Sequence, residues 1–68
     1  MKIGDVVYLN SNPEMLMTVL YVLDDNDKQN AMLNLTLKRV GCDILCEWFD
    51  DKSKKRDVFK SAMLSLKN

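Results

Sequence analysis

Apolar and polar positions alternate in short runs along the chain, which is the pattern of a small β protein. Residues 5–9 form the first apolar run, and the turn-forming residues 10–13 follow it. Residues 15–23 form a second run rich in β-branched and aromatic side chains, so we predict two antiparallel strands. Helix is the rival interpretation of the second run, because Met and Leu are good helix formers. Apolar residues occupy both the odd and the even positions of this run. A strand with this pattern is covered on both faces, by a barrel interior on one side and by another segment or subunit on the other.

The middle of the chain is ambiguous. Residues 24–30 are polar and predict a loop. In residues 31–40, Leu33, Leu35 and Leu37 alternate with polar side chains, which is the period-two pattern of a half-buried strand. Strand and helix both remain open for this segment.

The last third of the chain predicts a hairpin and a closing strand. In residues 42–49, Ile44, Cys46 and Trp48 share one parity, which we predict to be the core face. Residues 50–53 are a turn, and residues 54–59 return as the partner strand. Residues 60–64 fit a single helical or 3₁₀ turn, and residues 65–67 complete the sheet. We therefore predict one all-β domain over residues 1–68, a small antiparallel five-stranded SH3-like barrel with a short 3₁₀ turn before the last strand.

Two segments resemble a known family. The residues that carry the resemblance are residues 3–11, Pro13, residues 17–19, residues 46–50, Phe59 and Leu64 or Leu66. Together they resemble the YodC-like family of small uncharacterised bacterial proteins, with its Gly-Asp-Val-Val strand, its Met-Thr-Val strand and its Cys-x-Trp-Phe hairpin. The family's Gly-Gly pair in the first turn is absent, since Asn12 alone precedes Pro13. The resemblance implies a fold and a compartment, and it implies no reaction.

Composition excludes several functions. The chain has 68 residues, no histidine and a formal net charge of zero. A protein that coats nucleic acid would be clearly basic, and the absence of histidine removes the usual general base and the commonest transition-metal ligand. The sequence has no Ser-His or Cys-His arrangement and no glycine-rich phosphate loop. We expect no enzymatic activity, no cofactor and no metal. No run is long enough for a signal peptide or a membrane span, so we expect a cytoplasmic protein.

The two cysteines, Cys42 and Cys46, do not predict a disulfide. Four residues along one strand separate them by roughly 13 Å, whereas a disulfide needs Cα atoms within about 7 Å. A closed zinc site would need two further Cys or His ligands. We interpret both as reduced thiols, with Cys46 in the core.

The zero net charge conceals a strong asymmetry. The first 51 residues contain four basic and nine acidic side chains, a net −5, whereas the last 17 contain six basic side chains and one acid, a net +5. One interpretation is a hairpin that contacts phosphates; the other is a solvated hairpin that protects the sheet edge from aggregation. The candidate nucleic-acid contacts are Lys52, Lys54, Lys55, Arg56 and Lys60.

Large aliphatic side chains are abundant for so short a chain, with ten Leu and five Met. Such a surplus predicts exposed apolar surface, which usually marks an interface. We assign Trp48 to the core rather than to an exposed platform for a proline-rich peptide, and we expect Phe49 to be exposed. The leading hypothesis is therefore a non-enzymatic protein-interaction module that binds an unknown protein or a second copy; weak nucleic-acid binding is the alternative. The candidate interface residues are Leu16, Leu20, Tyr21, Met32, Leu33 and Phe49.

Overall fold

Five strands and one α-helix organise the chain in the computed structural model, which describes residues 1–67. The strands are β1 (Val6–Leu9), β2 (Asn12–Val22), β3 (Ile44–Asp50), β4 (Ser53–Phe59) and β5 (Leu64–Leu66). The helix α1 covers Ala31–Val40, and two 3₁₀ helices cover Lys28–Asn30 and Ser61–Met63.

The strands form one antiparallel sheet in the order β4-β3-β2-β1-β5. Among the described residues β4 and β5 each pair with one neighbour, so the sheet is open between them. The prediction of five antiparallel strands with a 3₁₀ turn before the last strand is confirmed. The fold is mostly β, and a single short helix is added to it.

The strand β2 begins earlier than the sequence predicts, at Asn12 rather than at residue 15. Its register with β1 shifts between the pair Tyr8–Leu16 and the pair Leu9–Asn12. Pro13 lies within this irregular stretch. Because proline has no N–H to donate to a ladder, a strand accommodates it where pairing is interrupted.

The hairpin between β3 and β4 is tight. Asp50 pairs with Ser53, and the two residues between them have positive φ angles, 50° at Asp51 and 72° at Lys52. Two central residues with positive φ are the geometry of a type I′ turn, whose twist matches that of the flanking strands. The predicted hairpin is confirmed, although β3 begins at Ile44 rather than at residue 42.

The inner face of the sheet carries the main core, whose buried side chains come from four strands. Trp48 is partly buried and packs against this cluster, with its ring centroid 6.2 Å from that of Phe59. The predicted core face of β3 is therefore confirmed. The buried core residues are Val7, Met17, Val19, Ile44, Cys46 and Leu64.

Residues 31–40 form a helix, which decides between the two alternatives that the sequence leaves open. Gly41 ends the helix with a φ of 74°, a left-handed conformation that glycine adopts without steric cost. Lys38 and Arg39 occupy the last turn, where their positive charges stabilise the negative end of the helix dipole. Cys42 continues the cap, because its N–H donates to the carbonyl of Leu37 at 2.9 Å and so delays the start of β3.

The helix covers part of the outer face of the sheet. A bulge at Leu20 shifts the register of β2, so that Val19 pairs with Cys46 but Tyr21 pairs with Leu45. Tyr21 therefore faces outward, where its hydroxyl donates to Asn34 of α1. This arrangement explains the apolar residues on both parities of β2: the core covers one face and α1 covers part of the other.

Candidate interaction surfaces

The outer face of the sheet is bare at the end opposite to α1. Thr18 pairs with Glu47 on this face, and Leu16 and Phe49 each lie two residues beyond that pair in the same direction. Phe49 is 73% exposed and Leu16 is 47% exposed, and Tyr8 pairs with Leu16 on the other side. Side chains directly opposite each other on paired strands are neighbours, as Tyr8 and Leu16 are. We call the exposed apolar side chains of this face the outer patch: Val6, Leu16 and Phe49.

Glu47 lies beside the outer patch and gathers two of the basic side chains. Its Oε1 atom lies 2.9 Å from Nζ of Lys54 and 3.8 Å from Nε of Arg56. The Glu47 side chain is only 15% exposed, and Oε1 is fully covered without an aligned hydrogen bond. The two contacts are therefore charge–charge contacts, which keep a largely buried carboxylate from being isolated.

The predicted interface residues do not form one surface. Leu16 and Phe49 belong to the outer patch, whereas Met32 is 77% exposed on the helix. Leu20, in the bulge of β2, and Leu33 on α1 are partly buried. The helix that Met32 belongs to directs Asn34 and Leu37 inward, so Met32 faces away from the sheet.

Tyr21 has to be removed from the predicted interface. Its side chain is 6% exposed, and its hydroxyl donates to Oδ1 of Asn34 at 2.8 Å inside the molecule. The physical reason is the bulge at Leu20, which turns this side chain under α1.

The five predicted nucleic-acid contacts are distributed over different faces. Lys54 and Arg56 point outward beside Glu47, whereas Lys55 pairs with Trp48 and so has the opposite parity. Lys52 lies in the turn after β3, and Lys60 lies between β4 and the second 3₁₀ helix. The structure thus brings together two of the five, and Glu47 offsets part of their charge.

A buried asparagine that the sequence analysis does not single out attaches the helix to the sheet. Asn34 is 5% exposed, and its Oδ1 accepts from the Tyr21 hydroxyl and from the backbone N–H of Asp24 at 3.1 Å. Its Nδ2 donates to the carbonyls of Asp24 at 2.7 Å and Asp27 at 3.4 Å. All four hydrogen-bonding positions of the amide are used. The sequence feature that could have pointed to this residue is an Asn between two leucines, Leu33 and Leu35.

The surroundings of this amide shift two pKa values. Burial raises the pKa of the Tyr21 hydroxyl, and the negative charge of Asp27 raises it further. The pKa of Asp27 is lowered, first by the hydrogen bond that the Asn30 side chain donates to it at 2.7 Å. Asp27 also caps the 3₁₀ helix that leads into α1, since its side chain accepts from the N–H of Asn30. The charged form of Asp27 therefore helps to hold the start of the helical segment.

The two cysteines and the acidic side chains are the residues of the chain that could carry thiol or metal chemistry. Both cysteines are free thiols; Cys46 is fully buried, and burial raises its pKa to about 11. A thiol with so high a pKa is protonated near neutral pH and is a poor nucleophile. Among residues 1–67, no group of three His, Cys, Asp or Glu side chains could hold a metal ion. Within the same residues, no helix has the length and apolar character needed to cross a membrane.

Together these features define a small, mostly β domain with one short α-helix and an outer sheet face that the helix covers in part. The chain belongs to the family described as an uncharacterized small protein (DUF2158), whose family model matches residues 2–64. Neither the curated proteins nor the solved structures contained a match. The family assignment adds no activity to what the residues themselves indicate.

Proposed function

We propose that this protein is a non-enzymatic, cytoplasmic interaction module that binds another protein through the outer patch. The observation that carries the proposal is the exposure of a phenylalanine: Phe49 is 73% exposed, and Leu16 and Val6 are exposed on the same sheet face. Burying these three side chains against a partner would remove exposed apolar surface from water. Lys54 and Arg56 border the patch on one side and favour a partner with acidic side chains at that edge.

We also propose that the domain is a variant of the SH3-like barrel and that its family is the YodC-like group. The strand order β4-β3-β2-β1-β5 and the 3₁₀ helix Ser61–Met63 before β5 support the first proposal. The segments of residues 3–11 and 46–50 support the second. Small β domains of this size commonly work by presenting apolar grooves or faces to other chains.

The test is partner capture with patch variants. Immobilised protein is incubated with a lysate of the source cells, and each captured protein is purified and its Kd for the domain is measured. The double variant Val6→Ser/Leu16→Ser is expected to weaken binding at least tenfold, because it removes two of the three apolar contacts. The matched control is Met32→Ser, which removes a more exposed apolar side chain from the helix. Equal Kd values for the wild type and the patch variant would contradict the proposal.

Self-association is measured in the same series. Sedimentation equilibrium of the wild type and of the patch variant shows whether a second copy is the partner. A dimer that the Val6→Ser/Leu16→Ser variant disrupts and Met32→Ser preserves would identify the patch as a homodimer interface. A monomer at every concentration, together with no captured partner, would overturn the proposal.

Weak nucleic-acid binding is the second candidate, and one observation favours it. Lys54 pairs directly with Phe49, so an exposed aromatic ring and a basic side chain are neighbours on the outer face. Basic side chains bind phosphates while exposed rings stack on bases in single-stranded nucleic acids. Titration with labelled single-stranded DNA and RNA at two salt concentrations separates the candidates. Tight binding that falls steeply with salt would favour this candidate over protein binding.

A further inference from the structure

The strands β2 and β3 diverge at one end and leave a groove between them. Their described pairing ends at Thr18–Glu47, although β2 begins at Asn12 and β3 continues to Asp50. In that stretch β2 pairs with β1 at Asn12, Leu16 and Met17, and β3 pairs with β4. The space between them is an open groove of about 400 Å³.

The groove combines aromatic rings with carboxylates. Trp48 and Phe49 line it from β3, and Met15 lines it from β2. Glu14 and Asp50 stand on opposite sides, and both are exposed. Asn12 completes the lining, so the groove presents two negative charges and no positive charge among its own residues.

We propose that this groove receives a lysine or arginine side chain from the protein partner. A cation over an indole or phenyl face is attracted by the ring, and two flanking carboxylates add direct charge complementarity. The methylene stem of the same side chain would pack against Met15. The inference rests on the proposed function, because it names the chemistry of one contact that the partner makes beside the outer patch.

The cationic side chains of the chain itself do not occupy this position. Lys54 is held by Glu47 at 2.9 Å. Lys55 pairs with Trp48 across β3 and β4, but the ion pairs of the described residues connect it neither to Glu14 nor to Asp50. Its positive charge near Trp48 opposes an incoming cation, so Lys55→Gln is expected to strengthen the binding of a cation about twofold.

Trp48 provides the readout, because it is the single tryptophan of the chain and lines the groove. Its fluorescence is measured during titration with acetyl-glycyl-arginyl-glycinamide and with the same peptide carrying citrulline, the neutral isostere of arginine. The arginine peptide is expected to change the emission and to bind about tenfold more tightly than the citrulline peptide. Equal binding of the two peptides, or no change of emission with either, would overturn the proposal.

The variants Glu14→Gln and Asp50→Asn remove charge but keep shape, and each is expected to weaken binding of the arginine peptide about fivefold. The matched control is Asp51→Asn, which removes the same charge from the neighbouring turn residue outside the groove lining. Asn is favoured at such positive-φ turn positions, so this control is expected to fold normally. A loss with Asp51→Asn as large as with Asp50→Asn would show a general charge effect and would contradict a specific site.

Failure of this site and failure of the proposed function give different results. The patch variant Val6→Ser/Leu16→Ser changes no groove residue, so it is expected to bind the arginine peptide like the wild type while it loses the partner. The variant Glu14→Gln/Asp50→Asn is expected to lose the arginine peptide and to bind the partner at least fivefold more weakly. A captured partner that this variant binds normally would leave the proposed function intact and overturn the groove. If the Glu14→Gln/Asp50→Asn variant abolishes self-association, the lysine or arginine side chain in the groove comes from a second copy of the chain. That result would overturn the proposal that a different protein supplies it.

Discussion

The outer face of the sheet has a covered half and a bare half, although both carry large apolar side chains. In the covered half, Tyr21 lies beneath α1 and is 6% exposed. In the bare half, Leu16 and Phe49 remain open to solvent. The helix has 10 residues and therefore spans about 15 Å. The hydrogen bond between Asn34 and Tyr21 attaches it to the covered half.

The difference between the halves also concerns polar groups. The covered half contains Asn34, whose amide is fully hydrogen-bonded to Tyr21 and to the loop before the helix. The bare half contains Glu47, whose buried Oε1 has only charge–charge contacts with Lys54 and Arg56. A fully satisfied polar network holds two elements in one arrangement, whereas a buried polar atom without a hydrogen bond costs stability. The covered half is therefore the better satisfied of the two in its polar groups.

The largest expected effect is in the covered half. Leu37→Ala removes a fully buried side chain of α1 and is expected to lower the free energy of unfolding by about 2–5 kcal/mol. Urea denaturation followed by far-UV circular dichroism measures the change. The matched control is Leu35→Ala on the same helix, whose half-exposed side chain is expected to contribute less than about 1 kcal/mol. Equal losses for the two variants would contradict the assignment of Leu37 to the covered side.

A smaller loss is expected when the polar network is broken. Asn34→Ala leaves the Tyr21 hydroxyl and the N–H of Asp24 without their partner, which is expected to lower the free energy of unfolding by about 1–3 kcal/mol. The control is Asn26→Ala in the adjoining loop, where the side chain is exposed. Hydrogen exchange of the α1 amides provides a second measurement, since the helix is expected to open more often once the amide is lost. Unchanged hydrogen exchange of the α1 amides in Asn34→Ala would contradict the prediction that Asn34 holds the helix to the sheet.

Acid is expected to weaken the start of the helical segment. The folded-state pKa of Asp27 is lowered, chiefly by the hydrogen bond from the Asn30 side chain. A lowered pKa means that the stabilisation is fully present above the pKa of the unfolded chain, about 4, and is lost as the pH falls through the folded-state value. Urea midpoints measured from about pH 7 down to about pH 2 are expected to fall more for the wild type than for Asp27→Asn. The control is Asp51→Asn, and parallel curves for wild type and Asp27→Asn would contradict the prediction.

The smallest effect on stability is expected in the bare half. Phe49→Thr replaces an exposed side chain with another strand former and is expected to change the free energy of unfolding by less than about 0.5 kcal/mol. The same variant is expected to weaken partner binding at least tenfold, because it removes a large ring from the proposed interface. Denaturation and the Kd for the captured partner measure the two quantities on one sample. A large loss of stability in Phe49→Thr without loss of partner binding would contradict the prediction for the bare half.

Several parts of the fold follow from local sequence. The core face of Ile44, Cys46 and Trp48 is predicted from period two, because alternate side chains of a strand point to the same side. The turn at residues 50–53 is predicted from its polar residues, and the structure adds the two positive φ angles. The exposure of Phe49 is predicted from its parity and confirmed.

The covered half could not be predicted in the same way. Leu33, Leu35 and Leu37 alternate with polar residues as in a strand. When the same segment is helical, Asn34 and Leu37 lie on one side and are buried. The two interpretations differ in which residues are buried, and only contact with the sheet selects one. The orientation of Tyr21 depends on a one-residue bulge at Leu20, which reverses every following side chain of the strand.

The candidate sites divide along the same line. The alternation of apolar residues and the turn residues determined by themselves which face of β3 is inside and where the hairpin of β3 and β4 turns, because both depend on neighbours in the chain. Only the tertiary structure decided which apolar residues α1 covers, that Glu47 gathers Lys54 and Arg56, and that Glu14 and Asp50 face one groove. These features join residues that are far apart in sequence, and their positions depend on strand register and on the length of one helix rather than on any local pattern.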